Sequence, residues 1–275
     1  MDSIASHRLH SAAWLPLQSE AVPTSLNAPS HREILTGWRS APRDLFLADS
    51  EVHVWRVCLE VSEFRLGELQ KMLSADERER AARFRFQRDR NRFVVGRGCL
   101  RQILGRYSGT KPDRVRFKYG ANGKPSLAGT LPDLIRFNLS HSDRLMLLAV
   151  SKGREIGIDV EKMDQQIEFD SIAERFFSSR EQATLQSLPE EQKCRAFFAC
   201  WTRKEAFIKA LGDGLSVPLD SFDVSLAPGE PAALLESRVG RQESEWCLQE
   251  LPAGAEYVAA MVVQGDGWRL RCWSA

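Results

Sequence analysis

Apolar and polar residues alternate along Glu51 to Val61 (EVHVWRVCLEV), the pattern of a half-buried strand. Before it, residues 1–48 are rich in Ser, Pro, Ala and His with weak periodicity, and read as an irregular lead-in. Ser74 and Glu77 have capping-box spacing and predict a helix running to about Phe86. In a second helix Phe93, Gly96, Leu100, Ile103, Leu104 and Tyr107 recur at three- and four-residue steps, ended by Gly109 and Pro112. Val115 to Tyr119 reads as a short strand and residues 120–125 (GANGKP) as a turn. Leu145 to Ser151 and Glu155 to Glu161 read as strands on either side of Lys152-Gly153-Arg154, a hairpin by pattern. Helices are expected over Phe169 to Phe177, Ser179 to Ser187 and Glu190 to Leu211. Trp246 to Leu251, Tyr257 to Val263 and Trp268 to Trp273 alternate as antiparallel strands do. This order is α+β, with hairpins in place of regular βαβ units and no fixed-period repeat.

Composition narrows the class. The 275 residues, 43% hydrophobic and 27% charged, suit one large globular domain or two modest ones. No apolar run reaches the roughly 18 residues of a membrane helix, and Met1 to Leu17 lacks a secretory apolar block. Six scattered cysteines without a CxxC pair are expected to be reduced thiols of a cytoplasmic protein.

The formal charge of +1 argues against a dedicated nucleic-acid binder, but it averages two unlike parts. Residues 74–116 carry twelve arginines and Lys111 against five acids, a local +8, so the remainder sums to −7. Such asymmetry suits an anionic ligand; solvated helices with i,i+4 ion pairs are the plainer explanation.

Three short segments carry candidate chemistry. In Ile156-Gly157-Ile158-Asp159-Val160-Glu161 a strand puts the apolar residues on one face. Gly157 and two carboxylates about 7 Å apart share the other face. That face is either solvated or a hard-oxygen site suited to Mg²⁺. In Trp201-Thr202-Arg203-Lys204-Glu205-Ala206-Phe207-Ile208-Lys209 a helix aligns Trp201, Glu205 and Lys209. The neighbours Phe197, Phe198, Phe207 and Ile208 make that helix too apolar to be mainly exposed, so its charges need partners. Asn138-Leu139-Ser140-His141-Ser142 places a histidine between serines just before a strand, either a satisfied turn or a set of phosphate donors.

Together these segments resemble the Sfp-type 4′-phosphopantetheinyl transferases (group II holo-acyl-carrier-protein synthase-like). The matching pieces, in order, are GKP at 123–125, NLSHS at 138–142, GIDVE at 157–161, FFS at 176–178, WTRKEAFIK at 201–209 and GDGLSVPLDSFDV at 212–224. The resemblance implies two similar α/β halves, about 1–151 and 152–275, related by a pseudo-twofold, with antiparallel sheets packed with helices. It implies a Mg²⁺-dependent transfer of 4′-phosphopantetheine from coenzyme A to a serine of an apo acyl or peptidyl carrier protein. It further implies that Asp159, Glu161 and Glu205 bind Mg²⁺, that Glu205 is the general base, and that Lys209 holds the pyrophosphate. Arg80, Ser140 and His141 would meet the 3′-phosphate of coenzyme A, and Gly123, Lys124 and Pro125 its adenine. Glu77 and Phe93 stand where some members have a lysine and a threonine on that phosphate, so Arg83 or Arg92 would substitute. Phe169 to Leu188 is where a carrier protein would dock, and the chain would act as a cytoplasmic monomer. A non-catalytic binder of nucleotide or carrier, and a Mg²⁺-dependent phosphohydrolase, are the competing classes; the acidic set with Lys209 argues against the binder.

Overall fold

A computed structural model describes residues 38–120, 122–129, 134–212, 217–238 and 245–275. The lead-in up to residue 37 and residues 213–216 of the last motif lie outside that range. In chain order the strands are β1 (Arg39–Ser40), β2 (Glu51–Cys58), β3 (Phe117–Tyr119), β4 (Pro125–Leu127), β5 (Ile135–Ser142), β6 (Leu145–Lys152), β7 (Ile156–Lys162), β8 (Phe222–Val224), β9 (Leu234–Ser237), β10 (Trp246–Glu250), β11 (Tyr257–Gln264) and β12 (Arg269–Ser274). The helices are α1 (Glu63–Lys71), α2 (Ala75–Ala82), α3 (Gln87–Ser108), α4 (Phe169–Phe176), α5 (Ser179–Ser187) and α6 (Glu190–Leu211).

Two sheets stack between helices, an α+β arrangement of four layers. The five-stranded sheet runs β1-β12-β2-β6-β5 and the three-stranded sheet β10-β11-β7. The period of two assigns their faces. Leu145, Leu147 and Ala149 of β6 and Val52 and Val54 of β2 meet Ile156, Ile158 and Val160 of β7 and Ala259, Met261 and Val263 of β11. On the outer face of the first sheet, Met146, Leu148 and Val150 pack on Val95, Leu100, Ile103 and Leu104 of α3. On the outer face of the second, Val258, Ala260 and Val262 pack on Phe197, Phe207 and Ile208 of α6. One 22-residue helix thus lies across each sheet. Both helices end on a left-handed glycine, Gly109 and Gly212, a conformation in which a Cβ would be strained.

Two pairings depart from the sequence pattern, for one reason. A strand has two edges, and β6 gives both to β2 and β5. Lys152-Gly153-Arg154 is therefore not the hairpin its pattern suggests: β7 crosses to the second sheet and pairs with β11. The true hairpin joins β5 to β6 one turn earlier, around Asp143, whose φ of 49° is left-handed. Likewise β11 is filled by β10 and β7, so β12 cannot join that antiparallel set. It runs parallel to β2 instead, closing that strand's open edge. The Ser74 helix also stops at Ala82, short of Phe86, and α3 begins at Gln87.

A close backbone approach at Gly157 sets α6 against β7. A Cβ placed on Gly157 would lie 2.0 Å from the Ala206 carbonyl oxygen and 2.4 Å from the Ala210 nitrogen, inside any permitted contact. Only glycine lets the helix come this near. Gly157→Ala is therefore expected to lower the free energy of unfolding by about 3 kcal/mol, read from urea denaturation. An unchanged unfolding midpoint would contradict this packing.

Candidate active site

The contact at Gly157 brings Glu205 and Lys209 of α6 over the polar face of β7. Asp159 is fully buried. Its Oδ1 accepts hydrogen bonds from Ser140 Oγ at 2.8 Å and from Lys209 Nζ at 2.6 Å. Lys209 also stands 3.8 Å from Glu205 Oε2. Asp159 Oδ2 and Glu205 Oε1 are buried without a hydrogen-bond partner. Glu161 completes the acidic group, its Oε2 accepting from Ser142 Oγ at 2.8 Å.

Electrostatics at this place are strained. Burial first, and then the Asp159 charge, push the Glu161 carboxyl up to about 8, against the hydrogen bond from Ser142 and the charge of Lys209. Burial also raises Glu205, to about 7, with Lys209 opposing and Asp159 adding. Burial alone would lower the Lys209 ammonium, but Asp159 and Glu205 outweigh it and raise the pKa. Three carboxylates thus share one ammonium, and two oxygens lack any donor. That donor set fits a hard divalent cation. Among the described residues, no three such side chains already stand at ligating geometry, and Lys209 Nζ lies 2.6 Å from Asp159 Oδ1.

Strand β5 builds the other wall. Asn138, Ser140 and Ser142 occupy alternate positions and reach the edge of β7 through side chains. Asn138 Oδ1 accepts from Ile158 N at 2.9 Å, and Ser142 Oγ accepts from Lys162 N at 3.0 Å. Side-chain bonds therefore replace a backbone ladder between the two sheets. Sequence inspection missed Asn138 and Ser142 because it placed this segment before a strand. The polar alternation at 138, 140 and 142 was the available signal.

The expected anion contacts are distributed unevenly. His141 is half-buried, and burial with the Lys209 and Arg92 charges lowers it to about 4, so it is neutral near pH 7. Ser140 turns its hydroxyl to Asp159 and Lys209. Lys124 Nζ donates to the carbonyls of Ile156 at 3.1 Å and Ala210 at 3.2 Å, and pairs with Glu155 at 3.4 Å. It ties the 123–125 turn to the start of β7 and the end of α6. Gly123 is left-handed at φ 78°, and Pro125 opens β4 opposite Tyr119. Arg80 lies over the Phe93 ring at 5.6 Å; burial and the Arg97 charge lower its pKa while Tyr119 raises it.

Much of the arginine-rich segment is consumed internally. Glu77 is buried between Arg97, whose Nε donates at 2.8 Å, and Arg101, whose Nε donates at 2.6 Å. Both guanidiniums also cover the Phe117 ring. Arg92 is held by Glu60 at 2.7 Å and Asp143 at 2.8 Å. The local +8 therefore overstates the charge offered to a ligand.

A further anchor lies on the far side of α6. Lys204 is completely buried and donates to the carbonyls of Leu219 and Phe222, both at 2.7 Å, and to Glu181 at 2.7 Å. Glu181 also accepts from Ser178 N and Val224 N, so the FFS segment starts α5 and locks it to α6. Removing one partner of such a pair costs about 3–5 kcal/mol.

Residues 155–262 match the 4′-phosphopantetheinyl transferase superfamily, and residues 60–153 match the 4′-phosphopantetheinyl transferase N-terminal family. The 4′-phosphopantetheinyl transferase HetI of Nostoc sp. is 44% identical over 237 residues, covering 86% of this chain and 97% of that protein. The 4′-phosphopantetheinyl transferase Sfp of Bacillus subtilis is 38% identical over 154 residues, 56% of this chain and 66% of its own. A Bacillus anthracis holo-(acyl-carrier-protein) synthase, solved in complex with CoA (3′,5′-ADP), aligns at 24% identity and a TM-score of 0.34, covering 41% of this chain and 96% of that one.

The raised carboxyls have a measurable consequence. Glu161 and Glu205 bind protons in the folded state at pH values where the unfolded groups, near 4.5, have lost them. Their contribution to stability therefore falls as pH rises from about 4.5 to about 8. His141, lowered to about 4, acts oppositely, stability rising between that value and 6.5. Above pH 6.5 only the carboxyls remain. The metal-free protein should lose roughly 1–2 kcal/mol between pH 6.5 and 8, read from urea midpoints in chelator, and Glu161→Gln should flatten the decline.

Proposed function

The chain belongs to the 4′-phosphopantetheinyl transferase superfamily, and we propose that Asp159, Glu161 and Glu205 hold the Mg²⁺ its reaction requires. The enzyme transfers 4′-phosphopantetheine from coenzyme A to a serine of an apo carrier protein, leaving a holo carrier and adenosine 3′,5′-bisphosphate. The observation that carries the metal assignment is the pair of donorless buried oxygens, Asp159 Oδ2 and Glu205 Oε1, beside a third carboxylate. When bound, the ion neutralises the pyrophosphate and supplies the electrophilic pull for in-line displacement.

The chain's own groups account for the remaining chemistry. Glu205 accepts the proton of the attacking serine hydroxyl directly or through water. Lys209 binds the pyrophosphate and stabilises the charge that builds on the leaving phosphate. His141 and Arg80 receive the 3′-phosphate, His141 as a neutral donor, while the Ser140 hydroxyl is already given to Asp159. Gly123, Lys124 and Pro125 border the adenine, with the Lys124 ammonium holding the turn in place rather than reaching the ligand. Ser142 and Ser140 orient Glu161 and Asp159.

The halves 1–151 and 152–275 form the two sides of one cleft, so a monomer in the cytoplasm is sufficient. The partner is an acyl or peptidyl carrier protein of fatty acid, polyketide or nonribosomal peptide synthesis, docking near Phe169 to Leu188. Among the described residues no helix is long and apolar enough to cross a membrane, and all six cysteines are free thiols.

Incubation with coenzyme A, Mg²⁺ and apo carrier should add one phosphopantetheinyl group to the carrier, read by intact-protein mass spectrometry. Chelation should stop the reaction, and Asp159→Ala and Glu205→Ala should each slow it by about 100-fold or more. Transfer that persists in chelator would overturn the Mg²⁺ requirement. Coenzyme A breakdown without carrier modification would indicate a hydrolase.

A further inference from the structure

We propose that Lys209 serves as the resident counter-cation of the acidic site, and that metal entry evicts its ammonium from Asp159. The inference rests on the metal reading given above and adds a competition within the site. Asp159 is fully buried, and Lys209 and Glu205 are nearly so. Removing such charges from water is costly unless they are paired. Three carboxyl groups meet one ammonium, and the ammonium is committed to Asp159 Oδ1 at 2.6 Å. A divalent cation would supply the missing contacts of Asp159 Oδ2 and Glu205 Oε1. It also repels the ammonium at contact distance.

Retreat of the α6 backbone to relieve that repulsion is opposed from behind, where Lys204 ties the helix to the Leu219 and Phe222 carbonyls and to Glu181. The lysine stem, with its four methylenes, is the part that moves. Eviction therefore turns Lys209 from a partner of Asp159 into a free donor for an anion. Metal and polyanion then favour each other's binding, since each benefits when Lys209 leaves the carboxylate, and that coupling is reciprocal.

Binding of Mn²⁺ to the protein without coenzyme A, followed by electron paramagnetic resonance, tests the competition. Lys209→Met should bind Mn²⁺ at least about tenfold more tightly than the unaltered protein, because a like charge at contact distance is gone. Lys209→Arg, which keeps the charge, should stay within about threefold. Equal or weaker binding by Lys209→Met overturns the inference while leaving the metal site standing. If Mn²⁺ binds none of the three, or Asp159→Asn leaves binding unchanged, the metal reading fails as well. A second readout needs no substitution: ¹⁵N spectra of the lysine ammonium groups. Lys209 should show a slowly exchanging, paired signal in chelator that is lost or shifted on Mg²⁺ saturation. A signal that persists unchanged at saturation overturns the inference, whether or not Lys209→Met folds.

Discussion

The distance between one helix and one strand controls this site, and the absence of a side chain at Gly157 controls that distance. With a Cβ there, the carbonyl of Ala206 and the amide of Ala210 would have to move outward. Glu205 and Lys209 ride on the same turns of helix, so they would move with them. Asp159 would then lose the ammonium that balances it. Other anchors act on the same helix from behind: Lys204 and Glu181 tie it to the segment around Leu219 and Phe222. The helix is held on both faces, and its charged residues have little freedom except along their own side chains.

The seam between the sheets has a comparable economy. Edge strands normally present unpaired backbone groups. Here β5 and β7 meet edge to edge, and the side chains of Asn138 and Ser142 receive two of the amides of β7. Because those bonds come from alternate residues of one strand, the same strand can also aim Ser140 and Ser142 at Asp159 and Glu161. The seam between the sheets and the orientation of the acidic residues are therefore one set of hydrogen bonds.

Charge tells a similar story of local pairing. The arginine-rich stretch looks like an anion trap in sequence, yet Glu77 draws Arg97 and Arg101 inward and Asp143 engages Arg92. What faces a ligand is a small selection of that charge. Glu77 thus has a structural role of its own.

Much was legible in the sequence because it is local. Alternation marked β2, β6, β7 and β11, and three-to-four periodicity marked α3 and α6, since burial of one face repeats with the geometry of the element itself. GIDVE and WTRKEAFIK also named Asp159, Glu161, Glu205 and Lys209 as one chemical set. What the sequence could not decide is which strand edges were already taken. The pattern of β7 allows a hairpin with β6, and that of β12 an antiparallel partner in β11. Occupied edges exclude both, and edge occupancy is a property of distant segments. The pairing of Lys209 with Asp159, the orphaned oxygens and the inward turn of Glu77 likewise depend on residues brought together only by packing. Local periodicity determined the elements. Tertiary packing decided which charges neutralise one another, because burial makes every unpaired charge costly and leaves few partners within reach.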